Sequence, residues 1–346
     1  METRNKMGDL RIGTSGWNYP TGPGTWNGIF YPPKRRGRAF DDLAFYAEHF
    51  DTVEVNSSFY RLPDPATTLA WARRTPAEFD FSLKLYQKFT HQAMYQKATS
   101  PDLPGDAIAT AIPAVTRADV DVFLKAVDPL AEAGKLGALL CQFPPSFRDT
   151  EDAREYLAWL MQAFARYPLA IELRHRSWSD HEPQIVNLLN EHGAAWVQID
   201  EPKFRFSIRQ SHLPNLRKLY YMRLHGRNAE QWWTHDHPDD RYNYLYSPGE
   251  IDSFAETVAT VRGLVQKIYV YLNNHFAGKA VANATMLRHT MGQPVTGEYS
   301  PEMLRRYPFL EPVVPHTGAG LLFDEAGPEA AVAEEETAED AESREG

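Results

Sequence analysis

One cysteine in 346 residues, Cys141, leaves the chain without an internal disulfide and without the thiolates of Cys-based zinc modules or iron–sulfur clusters. No stretch reaches the roughly 18 uncharged apolar residues of a membrane-spanning helix, so an integral membrane protein is excluded and no membrane partner is expected. The opening METRNKMGDLRIG has no apolar signal segment, which predicts a cytoplasmic chain. There is no phosphate-binding P-loop, no dinucleotide fingerprint (GPG at Gly22–Gly24 is too short) and no GxSxG nucleophile elbow. Charge is scarce too once it is located. Of the net −10, residues 324–346 hold −9, from ten acids and Arg344, so the other 323 residues carry −1. A body this close to neutral has no global attraction for nucleic acid, and only a local basic patch would supply one.

What is present is a 43% hydrophobic chain with regular alternation. Strands are predicted at Leu10–Trp17, Thr52–Tyr60, Phe79–Tyr86, Leu136–Phe143, Leu169–His175, Ala194–Asp200, Leu219–His225 and Lys267–Asn274. Helical patterns fall between them at Phe40–Phe50, Ala66–Arg74, Ala118–Ala133, Thr150–Phe164, Pro183–His192, Gly249–Arg262 and Val281–Met291. Asp149 and Thr150 can cap the fourth helix, and Gly134, Gly193, Gly263 and Gly292 stand just past helix ends. Eight strands with helical crossovers predict an α/β fold, a TIM-type (β/α)8 barrel in a single domain. Its limits are a flexible N-terminus at 1–9, the barrel at 10–323 and a disordered acidic tail at 324–346. The crossover at 201–218 is weakly helical and should be irregular. The connection at 87–117 is expected to run 31 residues before a helix starts, long enough for a lid.

Strand parity then selects a site. If Val53/Val55, Ile171/Leu173, Val197/Ile199 and Met222/Leu224 pack on the outer helices, the alternate residues point into the barrel. These are Glu54 and Asn56, Ser82 and Lys84, Gln142, Glu172 and Arg174, Gln198 and Asp200, Arg223 and His225, and Tyr269, Tyr271 and Asn273. They lie toward the C-terminal ends of their strands, where this fold carries active sites. Glu54, Glu172, Asp200 and His225 are the candidate acid/base groups. Lys84, Arg174 and Arg223 suit a phosphate or carboxylate, with Trp17, Asn56, Tyr60, Gln142 and Asn273 completing the binding set. An alternative use of Glu54, Glu172, Asp200 and His225 is a divalent metal site, although three interleaved cations compete for the same carboxylates; no cofactor is expected. A further alternative is that the balanced charges simply neutralise one another inside the barrel.

The loops are rich in rings: Trp17, Tyr19, Trp26, Phe30 and Tyr31; Phe59 and Tyr60; Trp178; and Trp232, Trp233, Tyr242, Tyr244 and Tyr246. They offer faces for stacking sugars or bases, or pack on the barrel rim. Lys34, Arg35, Arg36 and Arg38 form the dense basic run, a candidate phosphate contact. His235–Asp240 (HDHPDD) has no standard metal spacing and is expected to be a solvated loop; Cys141 reads as core.

A series of ordered motifs now stands out: GTSGW (Gly13–Trp17), FYP (Phe30–Pro32), VEVNSSFYRLP (Val53–Pro63), FSLK (Phe81–Lys84), TH (Thr90, His91), QFPPSF (Gln142–Phe147), IELRHRSW (Ile171–Trp178), RLHGR (Arg223–Arg227), RYNYLYS (Arg241–Ser247) and YLNNHFAGKAVANA (Tyr271–Ala284). Over about residues 10–295 the chain resembles the YecE-like family, domain of unknown function 72. The resemblance implies a TIM barrel without an established activity. By analogy with endonuclease-type and sugar-isomerase-type barrels it also implies a nucleic-acid or sugar-phosphate ligand. Arg176 stands where many members carry proline, and the 87–117 connection is long, so substrate access is where this chain departs from the pattern.

Three functions follow. The leading one is an enzyme (hydrolase, lyase or isomerase) acting at the barrel mouth on a phosphorylated or sugar-containing small molecule. The others are a nucleic-acid-binding protein using the basic run and the aromatic loops, and a non-catalytic scaffold whose barrel charges are structural. The oligomeric state is not encoded in any motif.

Overall fold

A computed structural model describes residues 7–33, 40–99, 115–211 and 213–315. The basic run at Lys34–Arg38 and the acidic tail at 324–346 lie outside the described residues. The strands are β1 (Asp9–Ser15), β2 (Thr52–Val55), β3 (Asp80–Lys84), β4 (Leu136–Gln142), β5 (Leu169–Glu172), β6 (Ala194–Trp196), β7 (Gln198–Asp200), β8 (Leu219–Leu224) and β9 (Lys267–Leu272). All pairings are parallel, in the order β6-β5-β4-β3-β2-β1-β9-β8-β7. Only Val197 separates β6 from β7, so the sheet's two edges are halves of one strand. The first half pairs with β5 and the second with β8, and the barrel closes through that strand.

The helices that wrap the barrel include α1 (Asp42–His49), α2 (Pro65–Arg73), α3 (Arg117–Glu132), α4 (Glu151–Ala163), α5 (Glu182–Glu191), α6 (Pro248–Arg262) and α7 (Lys279–Thr290). Their starts are written locally. Asp41, Asp64 and Thr150 accept from backbone N–H groups of the first turn, and Thr116 and Ser247 form reciprocal capping boxes with Asp119 and Glu250. Each cap contributes about 1 kcal/mol. Gly134, Gly193 and Gly292 follow helix ends at positive φ, where a side chain is strained. The 201–218 crossover has no helix among its described residues; a bridge from His175 to Ser207 and side-chain bonds of Gln210 and Asn215 to the sixth and seventh strands tie it down. The 87–117 connection differs from expectation, because Gln87–Thr90 and Gln92–Thr99 are helical and the first turn starts at once. Residues 100–114 lie outside the described set. Arg176 opens the short helix Arg176–Asp180, a position where proline is equally at home.

The barrel interior is filled in layers. At the N-terminal end Arg11 meets Asp9, Asp51 and Asp80, and Lys267 meets Asp9 and Asp80. Above them Tyr269 donates to Asp80 at 2.9 Å and stacks on Tyr271, ring centres 5.8 Å apart. Tyr271 in turn bonds Thr52 and Ser82. Gly13 is required in this layer: a Cβ there would stand 2.2 Å from the Thr52 carbonyl oxygen. No helix among the described residues is long and apolar enough to cross a membrane.

Candidate functional site

The third layer, at the C-terminal ends of the strands, is ionic. Glu54 on β2 accepts from Ser15 and Tyr221 at 2.7 Å each, and from Arg223 Nε and Nη2 at 2.9 and 2.7 Å. Arg223 on β8 spends its third nitrogen, Nη1, on Glu172 at 2.5 Å and on Gln142 at 2.9 Å. Glu172 at the end of β5 also receives Arg174 Nε at 2.6 Å. Burial alone would raise the Glu172 carboxyl, but Arg223 and Arg174 hold it well below the usual carboxylate range. Glu54 is therefore donor-saturated and Glu172 has a guanidinium donor on each oxygen, so Glu54–Arg223–Glu172–Arg174 is a self-neutralising chain of the kind set out as an alternative.

The groups around this chain are less satisfied. His225 Nδ1 meets the Asn273 amide at 2.8 Å, and Nε2 lies 3.1 Å from Arg174. Burial, with Arg223 and Arg174 close by, pushes His225 down to about 3, so it is neutral at physiological pH. Lys84, ending β3, places Nζ 4.0 Å above the Phe59 ring. Among the described residues Nζ makes no hydrogen bond and no ion pair. Burial, then Arg223 and Arg174, outweigh Glu172 and Glu54 and lower this amine to about 7. His91 meets Phe59 edge-on, centres 4.9 Å apart. Burial and the nearby Lys84 and Arg174 push it down to about 3.

Glu201 is buried, with Oε2 3.6 Å from Arg174 Nη1 and no hydrogen-bond partner for that oxygen. Its carboxyl is raised above the ordinary range, burial outweighing Arg174. Asn56, just past β2, keeps a buried Oδ1 without a partner.

The cluster thus brings together Glu54, Lys84, Gln142, Glu172, Arg174, Arg223, His225 and Asn273, with Asn56 at the end of β2. Asp200 is the exception. Ile199 is in register with Arg223, and Ala195 with Ala170, which puts 195, 197, 199 and 201 on the interior face. Gln198 and Asp200 point toward the helices. There Asp200 pairs with Arg227 at 2.8 Å and accepts from Tyr246 at 2.8 Å, anchoring the start of α6 through Arg227 and Glu250. Glu201 occupies the interior place assigned to Asp200. Trp17 is also elsewhere, edge-on to Trp71 of α2 at 5.4 Å. Tyr60 is 65% exposed beside Phe59 on the short helix Ser57–Tyr60.

Most loop rings pack. Trp26, Phe30, Tyr31, Phe59, Trp178 and Tyr246 are buried, and Tyr19 stacks on His275 at 4.1 Å. The HDHPDD stretch caps a short 3-10 helix through His237 and Asp240. Among the described residues, no group of three or more His, Cys, Asp or Glu is placed to hold a metal ion. The carboxylates proposed for one are engaged by arginines.

Residues 11–305 match the DUF72 family, described as a protein of unknown function, and the chain belongs to that family. UPF0759 protein YunF of Bacillus subtilis (strain 168) is 27% identical over 290 residues, 80% of this chain and 93% of that protein. UPF0759 protein YecE of Escherichia coli (strain K12) is 28% identical over 171 residues, 49% of this chain and 55% of that protein. A DUF72 family structure from Thermotoga maritima MSB8 superposes with a TM-score of 0.66 at 28% identity, covering 82% of this chain and 100% of that one. One from Enterococcus faecalis V583 gives 0.69 at 25% identity, covering 84% and 99%.

Proposed function

We propose that the chain is an enzyme acting at the C-terminal mouth of the barrel on a phosphorylated or sugar-containing small molecule. The observation that carries this reading is uneven saturation. Glu54, Arg223 and Glu172 consume one another, whereas among the described residues half-buried Lys84 Nζ and buried Glu201 Oε2 have no hydrogen bond and Arg174 Nη1 meets a carboxylate at 3.6 Å. A purely structural plug would satisfy its outer members as fully as its inner ones, since unsatisfied buried polar groups are costly. In this reading Arg174 and Lys84 hold the anionic group, Glu201 replaces Asp200 as the proton-carrying acid, and Glu54 and Glu172 position the two arginines.

The test is a thermal-melt panel on the full chain with phosphate, sugar phosphates, nucleotides, short single- and double-stranded DNA, and divalent metals with and without chelator. A ligand at 100 times its dissociation constant adds about 2.7 kcal/mol, a few degrees for a domain of this size. Sugar phosphates should raise the melt of the parent and not of Lys84→Met or Arg174→Gln. A shift unchanged by both substitutions, or none with any phosphorylated compound, overturns the reading.

One observation favours the nucleic-acid alternative. In the segment 203–206 (KFRF) cations alternate with rings. The Phe204 and Phe206 rings lie 5.7 Å apart and nearly parallel, with Trp233 5.7 and 5.8 Å away and 55% exposed. Lys203, Arg205 and Arg209 are exposed along the adjoining cleft. Rings interleaved with cations suit single strands. A DNA-dependent shift whose salt slope falls in Arg205→Ala/Arg209→Ala would move the assignment there.

A further inference from the structure

We propose that Lys84 forms a covalent imine with an aldehyde or ketone carbonyl of the substrate; this deepens, and rests on, the small-molecule reading of the mouth. The argument is geometric first. Lys84 ends β3, so its amine emerges at the mouth, and its neighbours give it nothing to neutralise. The nearby carboxylates, Glu54 on β2 and Glu172 on β5, are taken by Arg223 on β8 and by Arg174 just past β5. What faces Nζ instead is the Phe59 ring at 4.0 Å, with neutral His91 on that same ring. Burial and two guanidiniums oppose a third positive charge there, and the amine sits at about 7, where a large share is unprotonated at neutral pH. A desolvated lysine beside other cations is the standard way a protein makes an amine nucleophilic.

Partly protonated at neutral pH, such an amine can hold an anion in its charged form and attack a carbonyl in its neutral form. The Nζ lone pair attacks the carbonyl carbon, the C–N bond forms, and the carbonyl π pair moves to oxygen. That oxygen takes a proton, and the resulting carbinolamine then loses its hydroxyl as water after a second protonation. Nζ gives up its own protons in the process. The balance is amine plus carbonyl giving imine plus water, with no oxidant or reductant. Glu201, whose carboxyl is raised by burial and lies 3.6 Å from Arg174 Nη1, is the acid assigned to the departing water.

The experiment is reductive trapping on the full chain. It uses sodium cyanoborohydride with either formaldehyde, small enough to reach any open amine, or glyceraldehyde 3-phosphate, followed by peptide mass mapping. Glycerol 3-phosphate, which has no carbonyl, serves as competitor and as melt ligand. At pH 7 Lys84 should label about ten-fold or more faster than exposed Lys125, with a half-maximal rate near pH 7 and protection by glycerol 3-phosphate. Labelling of Lys84 no faster than Lys125 with both probes overturns the proposal. If glycerol 3-phosphate still raises the melt in that case, the anion-binding reading of the mouth survives without the imine. Fast labelling by formaldehyde with no melt shift from glycerol 3-phosphate supports the reactive amine and removes the phosphorylated substrate.

Discussion

Arg223 grips Glu54 with two nitrogens, Nε at 2.9 Å and Nη2 at 2.7 Å, and both residues are almost fully shielded from solvent. The pair ties β8 to β2 across the barrel and holds Arg223 so that its remaining nitrogen reaches Glu172. Its removal has consequences for the whole mouth.

Glu54→Ala should therefore destabilise the fold, because it leaves Arg223 buried with half its partners gone. Breaking one side of a buried pair costs about 3–5 kcal/mol. Urea unfolding at pH 7 checks this; a loss under about 1 kcal/mol would show that the pair is not the clamp its geometry describes.

Lys84→Met should stabilise the protein at neutral pH and below. Burial lowers the amine to about 7 in the fold, against 10.5 in the unfolded chain. Below pH 7 both states are protonated and the folded one carries the full cost of the buried charge. Between 7 and 10.5 the folded amine is neutral while the unfolded one still binds a proton, so the cost fades. The melting advantage of Lys84→Met should be largest at pH 6 and vanish by about pH 10.5; an advantage that grows with pH contradicts the assignment.

Glu201→Gln should melt no lower than the parent above neutral pH, while any activity found at the mouth falls. The carboxyl is raised in the fold, so its ionisation opposes folding, and stability drains away as pH climbs through the unfolded value of 4.5 to the folded one. The amide removes that drain. Paired melts at pH 4 and pH 8 should show the variant gaining on the parent at the higher pH.

Cys141 should be inert toward thiol reagents in the native state. It faces the helices from β4 with no exposed surface, and burial pushes its thiol well above the ordinary range. Titration with a chromogenic disulfide should find no fast thiol in buffer and one in denaturant.

The barrel was legible because local signals agreed with one another: polar caps opened the helices, glycines closed them, and apolar β-branched runs marked the strands. Inward parity also picked out the members of the ionic cluster, since polar residues at alternate positions stood out against apolar neighbours. It failed on Ala194–Asp200. That strand is buried on both faces, so the apolar residues carry no phase. Its polar pair, Gln198 and Asp200, is turned outward because Arg227 and Tyr246 wait on the helix side. Glu201 was missed as a direct consequence. Ser15 and Tyr221 were missed because each shows its role only once Glu54 is opposite it. The helices at Gln87–Thr90 and Gln92–Thr99 have few apolar residues, and nothing periodic announced them.

The three interior layers have an effect on traffic. Arg11, Asp80 and Lys267 fill the far end and the stacked tyrosines the waist, so the ionic layer near the rim is reached from the C-terminal side alone. A molecule that reaches Lys84 must back out by the route it took in. For the enzyme proposed above, product and incoming substrate would share one doorway, and slow departure rather than chemistry would limit turnover.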